Sequence, residues 1–254
     1  MPKTEHRWQE AQEAEIAAWR RWHALRPEYK TQLADYWHWY LERIARYVSF
    51  TPQHRVLDIG CGPDGIINYI PAGRRFGLDP LMEIYLSMFE MNPAVVWRAG
   101  TMERLPFESG SFDVVITTNT LDHTHEPREG LKEIHRILKP GGALVLTVNC
   151  YPPVRRLLRL AGERMGRGDR PHPHNYSRGQ VRALLRAAHF DLVSEEQGIG
   201  TMGVWFYEKP AATDIGLVHR VANILFSWEE RVFGYSCIDF IFIARKGEHV
   251  RLVG

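Results

Sequence analysis

The spacing of apolar residues changes character along the chain, and each change marks a different kind of element. Over the first fifty residues the period is helical. Trp8, Gln12, Glu15, Trp19 and Trp22 are spaced four, three, four and three apart, which predicts a helix over residues 4–26 with three indoles on one stripe. A second helix is predicted over residues 29–49, with Tyr36, Trp37, Tyr40, Ile44, Tyr47 and Val48 on one side. From Arg55 onward, short apolar runs alternate with helical stretches. The runs are Val56 to Ile59, Val95 to Trp97, Val114 to Thr117 and Ala143 to Val148. This alternation predicts an α/β fold, a doubly wound and mostly parallel sheet with helices on both faces. After Val148 the pattern loosens into a segment rich in Pro and Arg. A helix from about Arg178 to Ala188, a strand near Asp191 to Ser194 and a last strand from Cys237 to Ala244 complete the reading.

The strand at Val56 runs directly into Gly60-Cys61-Gly62-Pro63-Asp64-Gly65, with Asp58 just ahead of the first glycine. Glycines let a backbone turn sharply and approach a ligand with no Cβ in the way. Several nucleotide cofactors share this loop pattern, so it does not name one by itself. Asp58 narrows the choice. A carboxylate there would repel a pyrophosphate but would favour a cofactor carrying an ammonium and a sulfonium. Phe76-Gly77-Leu78-Asp79-Pro80 then reads as a second short strand, ending in an acid that can accept from both hydroxyls of a ribose.

Further along come Gly100-Thr101-Met102-Glu103-Arg104-Leu105-Pro106-Phe107, Ser111 to Thr117, Leu131 to Leu138, and Lys139-Pro140-Gly141-Gly142. In this order and spacing, residues 54–148 resemble the class I S-adenosylmethionine-dependent methyltransferases, particularly those that modify small molecules. The resemblance implies a seven-stranded Rossmann-like sheet, S-adenosyl-L-methionine as cofactor, and methyl transfer to an oxygen or nitrogen of a small-molecule acceptor. It also implies a cofactor-binding set of Asp58, Gly60, Cys61, Gly62, Gly65, Asp79, Pro80, Leu81, Thr101, Met102, Glu103 and Asn119. In that set the Asp58 loop holds the methionine end and lies under the ribose, and Asp79 grips the ribose hydroxyls. Met102 donates from its backbone at the adenine edge, Leu81 or Met82 packs on the ring, and Asn119 lies near the methionine end. Thr101 departs from the family pattern. Many relatives carry an acid there to accept from the adenine amino group, and a threonine offers only a neutral hydrogen bond.

Transfer of a methyl group from a sulfonium needs alignment and exclusion of water more than acid–base help. A base is required only where the acceptor must lose a proton. His123 is the first candidate, since Asn119-Thr120-Leu121-Asp122-His123 follows the fourth strand and so faces the crevice at the strand ends. His172 and His174 lie on a loop that can return over the same crevice, and His125 precedes the helix that begins near Pro127. No cluster has metal-ligand spacing, so no metal is expected.

Three additions flank the shared core, which gives a helical N-terminal cap over 1–50 and a methyltransferase domain over 51–254 carrying two insertions. The basic insertion, 150–182, holds eight arginines against Glu163 and Asp169, which suits either a solvated face or an anionic ligand or membrane surface. The apolar insertion, 198–234, precedes the last strand, and a helix is predicted within it from about Thr213 to Arg231. The N-terminal helices and the 198–231 excursion are expected to enclose the acceptor. A chain lacking residues 1–26 is then expected to bind cofactor but lose transfer.

A formal charge of +2 and the segregation of aromatics from arginines exclude a nucleic-acid partner at this level of reading. The three cysteines have neither metal spacing nor the even count of a disulfide framework. With a charged opening segment and no apolar run of spanning length, a cytoplasmic enzyme is expected. Alternatives that use the same motifs are a membrane-peripheral methyltransferase with a lipid-linked acceptor, and an S-adenosylmethionine-binding protein with a non-methylating or regulatory role.

Overall fold

The computed structural model of the protein describes residues 12–13, 15–17, 19–21, 23–24, 28–71, 73–164, 174–199 and 238–247. The described residues between 12 and 24 are helical. The elements that follow are α1 (Glu28–Ile44), β1 (Arg55–Ile59), a 3-10 turn (Ile66–Tyr69), β2 (Arg74–Asp79) and α2 (Met82–Met88). Then come β3 (Val95–Ala99), β4 (Phe112–Thr118), α3 (Pro127–Ile137) and β5 (Leu138–Cys150). The chain continues with α4 (Pro153–Arg164), α5 (Arg178–Ala187), β6 (Phe190–Gln197) and β7 (Ile238–Lys246). The helix predicted within the apolar insertion, and Cys237, lie outside the described residues.

The sheet order is β3-β2-β1-β4-β5-β7-β6. The first five strands are parallel, and β7 runs antiparallel to both β5 and β6. The order reverses between β1 and β4, where such sheets open a crevice at the carboxyl ends of their strands. The alternation predicts this parallel core correctly, and two elements differ from the prediction. Where a full crossover helix would follow the glycine loop there is only one 3-10 turn. Ile70 is extended (φ −62°, ψ 124°) because it precedes Pro71, whose ring disfavours a helical neighbour. The fifth strand begins at Leu138 rather than Ala143. Phe112 pairs with Leu138 and Val114 with Ala143, so residues 139–142 bulge between them, and Lys139 Nζ ties the bulge to Asp113 Oδ1 at 2.7 Å.

Each face of the sheet carries its own core. Leu57, Ile59, Val115, Leu144, Leu146, Phe240 and Phe242 pack under α3 and α5. Val56, Ile116, Val145, Ile241 and Ile243 pack under α1, whose Leu33, Tyr36, Trp37, Tyr40 and Ile44 are all buried. Strand side chains alternate between faces, so the α1 side gains a polar upper row made by Asp58, Thr118, Thr147, Asn149 and Asp239 at the strand ends. Tyr40 donates to Asp239 Oδ2 across this row, joining α1 to β7. Among the described residues no helix is long and apolar enough to cross a membrane.

Candidate functional site

The glycine loop turns directly off β1, and its conformation explains its composition. Gly60 and Gly62 have φ of +68° and +54°, a region that side-chain-bearing residues rarely adopt. A Cβ on Gly60 would stand 2.2 Å from Thr120 Oγ1, and one on Gly65 would stand 2.2 Å from the Cys61 carbonyl oxygen. The loop therefore lies tight against both the 119–124 turn and itself. Gly60 N–H donates to the Leu78 carbonyl at 2.7 Å, which locks the loop to the end of β2.

Two buried carboxylates define the electrostatics. Asp58 is fully buried, its Oδ2 accepts only a long 3.4 Å bond from Ile67 N–H, and its Oδ1 has no hydrogen-bond partner. Burial pushes it up to about 8 against the pull of the Ile67 N–H, and the charge of Asp79 adds to the rise. Asp79 accepts from Gly62 N–H at 3.0 Å and from Leu81 N–H at 2.9 Å. Burial pushes it up to about 6, opposed by those two bonds and helped by the charge of Glu15. A buried acceptor left unmade costs about 1–3 kcal/mol. A ligand bringing a positive charge to Asp58 and hydroxyls to Asp79 removes that deficit, so these residues fit the expected cofactor.

At the opposite edge the predicted contacts divide between backbone and side chain. The Met102 side chain is buried beneath Gly130 of α3, where a Cβ would meet its Cγ at 2.7 Å. Thr101 bridges to Arg104. Glu103 Oε1 accepts from the N–H groups of His125 at 2.7 Å and Glu126 at 3.2 Å. Its carboxylate thus caps the start of α3, where negative charge is favoured. Met82 and Leu81 are both buried in the core on the α1 side of the sheet, and Pro80 beside them is exposed. Cys61 is buried against Gly77, and burial pushes its thiol up.

Beyond the loop, Asn119 ends β4 in a left-handed conformation (φ +52°) that its side chain must tolerate. Its N–H donates to Thr147 O at 2.9 Å, and its buried Oδ1 has no partner. His123 has its Nε2 4.0 Å from Asp122 Oδ1 and a side chain 29% exposed. The His174 ring contacts the Thr124 carbonyl through Nε2 at 2.8 Å and the His174 backbone N–H donates to Asp122 O at 3.3 Å, so the loop does return to the same turn. His125 is exposed beside α3, and His172 lies outside the described residues.

Three side chains absent from the predicted site stand around it. Trp19 is 3% exposed and covers Gly62, where a Cβ would be 2.7 Å from its Cζ2. His23 pairs with Asp64 at 2.9 Å and stacks on Phe89 with ring centres 3.9 Å apart. Tyr85 is fully buried with an unpartnered hydroxyl. The indole stripe places Trp19 on one face of a helix, but no local pattern says what that face meets.

Residues 57–146 match a family model described as a methyltransferase domain. A ubiquinone biosynthesis O-methyltransferase of Pseudomonas aeruginosa is 38% identical over 107 residues, 39% of this chain and 46% of that protein. The chain spans less than half the length of the first curated relatives that it matches. The YcgJ protein of Bacillus subtilis has the same fold, with a TM-score of 0.60 at 22% identity over 83% of this chain and 99% of that one. A methyltransferase of Thermotoga maritima, described as a possible histamine N-methyltransferase, gives 0.59 at 19% identity over 96% of this chain and 100% of that one. Residues 57–146 thus match a methyltransferase domain, set in a seven-stranded Rossmann-like sheet of this strand order around the glycine loop.

Proposed function

We propose that the protein is a methyltransferase that moves a methyl group from S-adenosyl-L-methionine to an oxygen or nitrogen of a small molecule. The observation that carries this reading is the partnerless Oδ1 of buried Asp58 beside a glycine backbone and a second acid, Asp79. When bound, S-adenosylmethionine supplies an activated methyl group that an acceptor lone pair displaces in line. Asp58 stabilises the cationic end, Asp79 accepts from ribose hydroxyls, and the Met102 backbone reads the adenine edge. Asn119, held by Thr147, lies beside the methionine end and presents its unpartnered Oδ1 there. His123 is the proton acceptor for acceptors that must lose a proton, since it lies half-buried on the turn after β4. The buried α1 face and the glycine loop keep water from the reacting atoms.

A relative in sequence is named for O-methylation, and a neighbour in fold is described as a possible N-methyltransferase. The test is therefore a panel of phenols, carboxylates and amines incubated with methyl-labelled cofactor, with S-adenosylhomocysteine release as readout. Calorimetry should show binding of S-adenosylmethionine and S-adenosylhomocysteine and none of NAD. Tight NAD binding with none of the methionine-derived pair would overturn the reading.

A further inference from the structure

The face of the glycine loop turned away from the sheet is closed by groups from two helices, and two of those groups are polar. Trp19 lies edge-on to Tyr85, with ring centres 6.5 Å apart and planes at 69°, while its Cζ2 stands where a side chain on Gly62 would begin. Its Nε1 donates to Glu15 Oε1 at 2.8 Å, which fixes that carboxylate one helical turn ahead of the indole. On its other side Gly62 donates to Asp79 Oδ2. The Tyr85 hydroxyl, buried in α2, has no hydrogen-bond partner. Burial raises its phenol, and the carboxylates of Asp79 and then Glu15 add to the rise, so the hydroxyl lies in the field of both acids.

These groups do little for one another. Two carboxylates near one glycine repel, and a phenol out of water without a partner costs about 1–3 kcal/mol. Hydroxyl groups presented among them resolve both deficits, because a hydroxyl donates to a carboxylate and accepts from a phenol. We propose that Glu15 and Tyr85 bind ligand directly and, together with Asp79, hold the vicinal diol of the cofactor ribose, so that the N-terminal helix supplies one wall of the adenosine pocket. The two ribose hydroxyls donate to Asp79 and Glu15, and Tyr85 donates to a ribose oxygen. Trp19 positions Glu15 through its Nε1 and seals the pocket over Gly62. The inference rests on the cofactor reading given above, and it changes one expectation from the sequence. Loss of the N-terminal helix weakens cofactor binding itself, because the helix rests on the cofactor loop.

The test compares S-adenosylhomocysteine with its 2′-deoxy and 3′-deoxy ribose analogues by calorimetry, on the wild-type chain and on Glu15→Gln and Tyr85→Phe. Glutamine retains an oxygen for the Trp19 Nε1, so Glu15→Gln removes the charge and keeps the bond. Tyr85→Phe removes only a hydroxyl that is unpartnered without ligand, so the ligand-free melting temperature should hold or rise. Each variant should bind S-adenosylhomocysteine about tenfold more weakly, and the wild-type preference for the parent over a deoxy analogue should shrink by a similar factor. Equal loss for the parent and both analogues, or wild-type affinity in both variants, overturns the ribose assignment. A lowered ligand-free melting temperature for Tyr85→Phe with unchanged binding also overturns it, in favour of packing alone. Failure of the wild-type chain to bind S-adenosylhomocysteine sinks the cofactor reading instead.

Discussion

Asp58 and Asp79 are held in states that water would not give them, and cofactor binding should register that. Asp58 is raised from 3.8 to about 8, so the ligand-free folded protein keeps a proton there that the unfolded chain has lost at neutral pH. By linkage, its contribution to stability is full below 3.8 and is lost as pH rises through about 8. Binding works in the opposite direction. An ammonium beside Asp58 favours the carboxylate, so S-adenosylhomocysteine should bind with proton release below that pH and more tightly as pH climbs toward it. Calorimetry in two buffers of different ionisation enthalpy checks this, and equal heats at neutral pH would separate Asp58 from the ligand charge. For Asp79, alanine removes an acceptor for the ribose and for two loop N–H groups, and should weaken binding by about 2–4 kcal/mol. Asparagine keeps one oxygen and should lose less. A loss of only a few tenths in Asp79→Ala would place the ribose elsewhere.

At the scale of elements, the glycine loop is set by contacts as well as by dihedral angles. Gly60 and Gly110 have nearly the same φ, +68° and +65°, but a Cβ on Gly60 meets Thr120 while a Cβ on Gly110 meets nothing within 4 Å. Gly110→Ala should therefore cost about 1–2 kcal/mol, the backbone penalty alone. Gly60→Ala adds a collision with a packed turn and should cost about 2–4 kcal/mol. Chemical denaturation of both variants separates the two contributions, and equal losses would mean that the Thr120 turn yields freely. The other end of the loop shows the same economy. Pro71 stops the helix that would follow it, and the short 3-10 turn leaves Asp58 with a single long bond from Ile67. The deficit on which the proposed ligand role of Asp58 rests thus originates in the truncation of its neighbouring element.

Across the whole molecule, α1 and β7 are joined although Tyr40 and Asp239 lie 199 residues apart. Both side chains are buried, with Asp239 fully out of water. Burial and the nearby Tyr36 and Asp239 push the Tyr40 phenol far above its usual range, so it stays a donor at any working pH. Tyr40→Phe takes one donor from a buried carboxylate and should destabilise the fold by about 1–3 kcal/mol. In a chain of this size that lowers the melting temperature by roughly 2–4 °C per kcal/mol. Cofactor affinity should stay within about twofold, because Asp239 stands on β7, two strands beyond β4 and the switch point. An affinity loss as large as that of Asp79→Ala would show that the polar row from Asp58 to Asp239 acts as one unit.

The sequence by itself determined the parallel core, the glycine loop with its acid, and Asp79 at the end of β2. Each depends on a period or a spacing within a few residues, which the chain carries locally. It also set Trp19, Tyr36 and Tyr40 on helical stripes, since a stripe shows in spacing alone. Tertiary structure alone decided what lies against what: Trp19 rests on Gly62, Tyr40 on Asp239, and the thioether of Met102 on Gly130. It also turned Glu103 toward the start of α3 and returned His174 to the Thr124 carbonyl. It buried Tyr85 against Trp19 with its hydroxyl unpartnered and in the field of two acids. No period encodes these pairings. They follow from which strand ends and helix faces are brought together once the sheet closes, and chain folding joins residues that no local pattern relates.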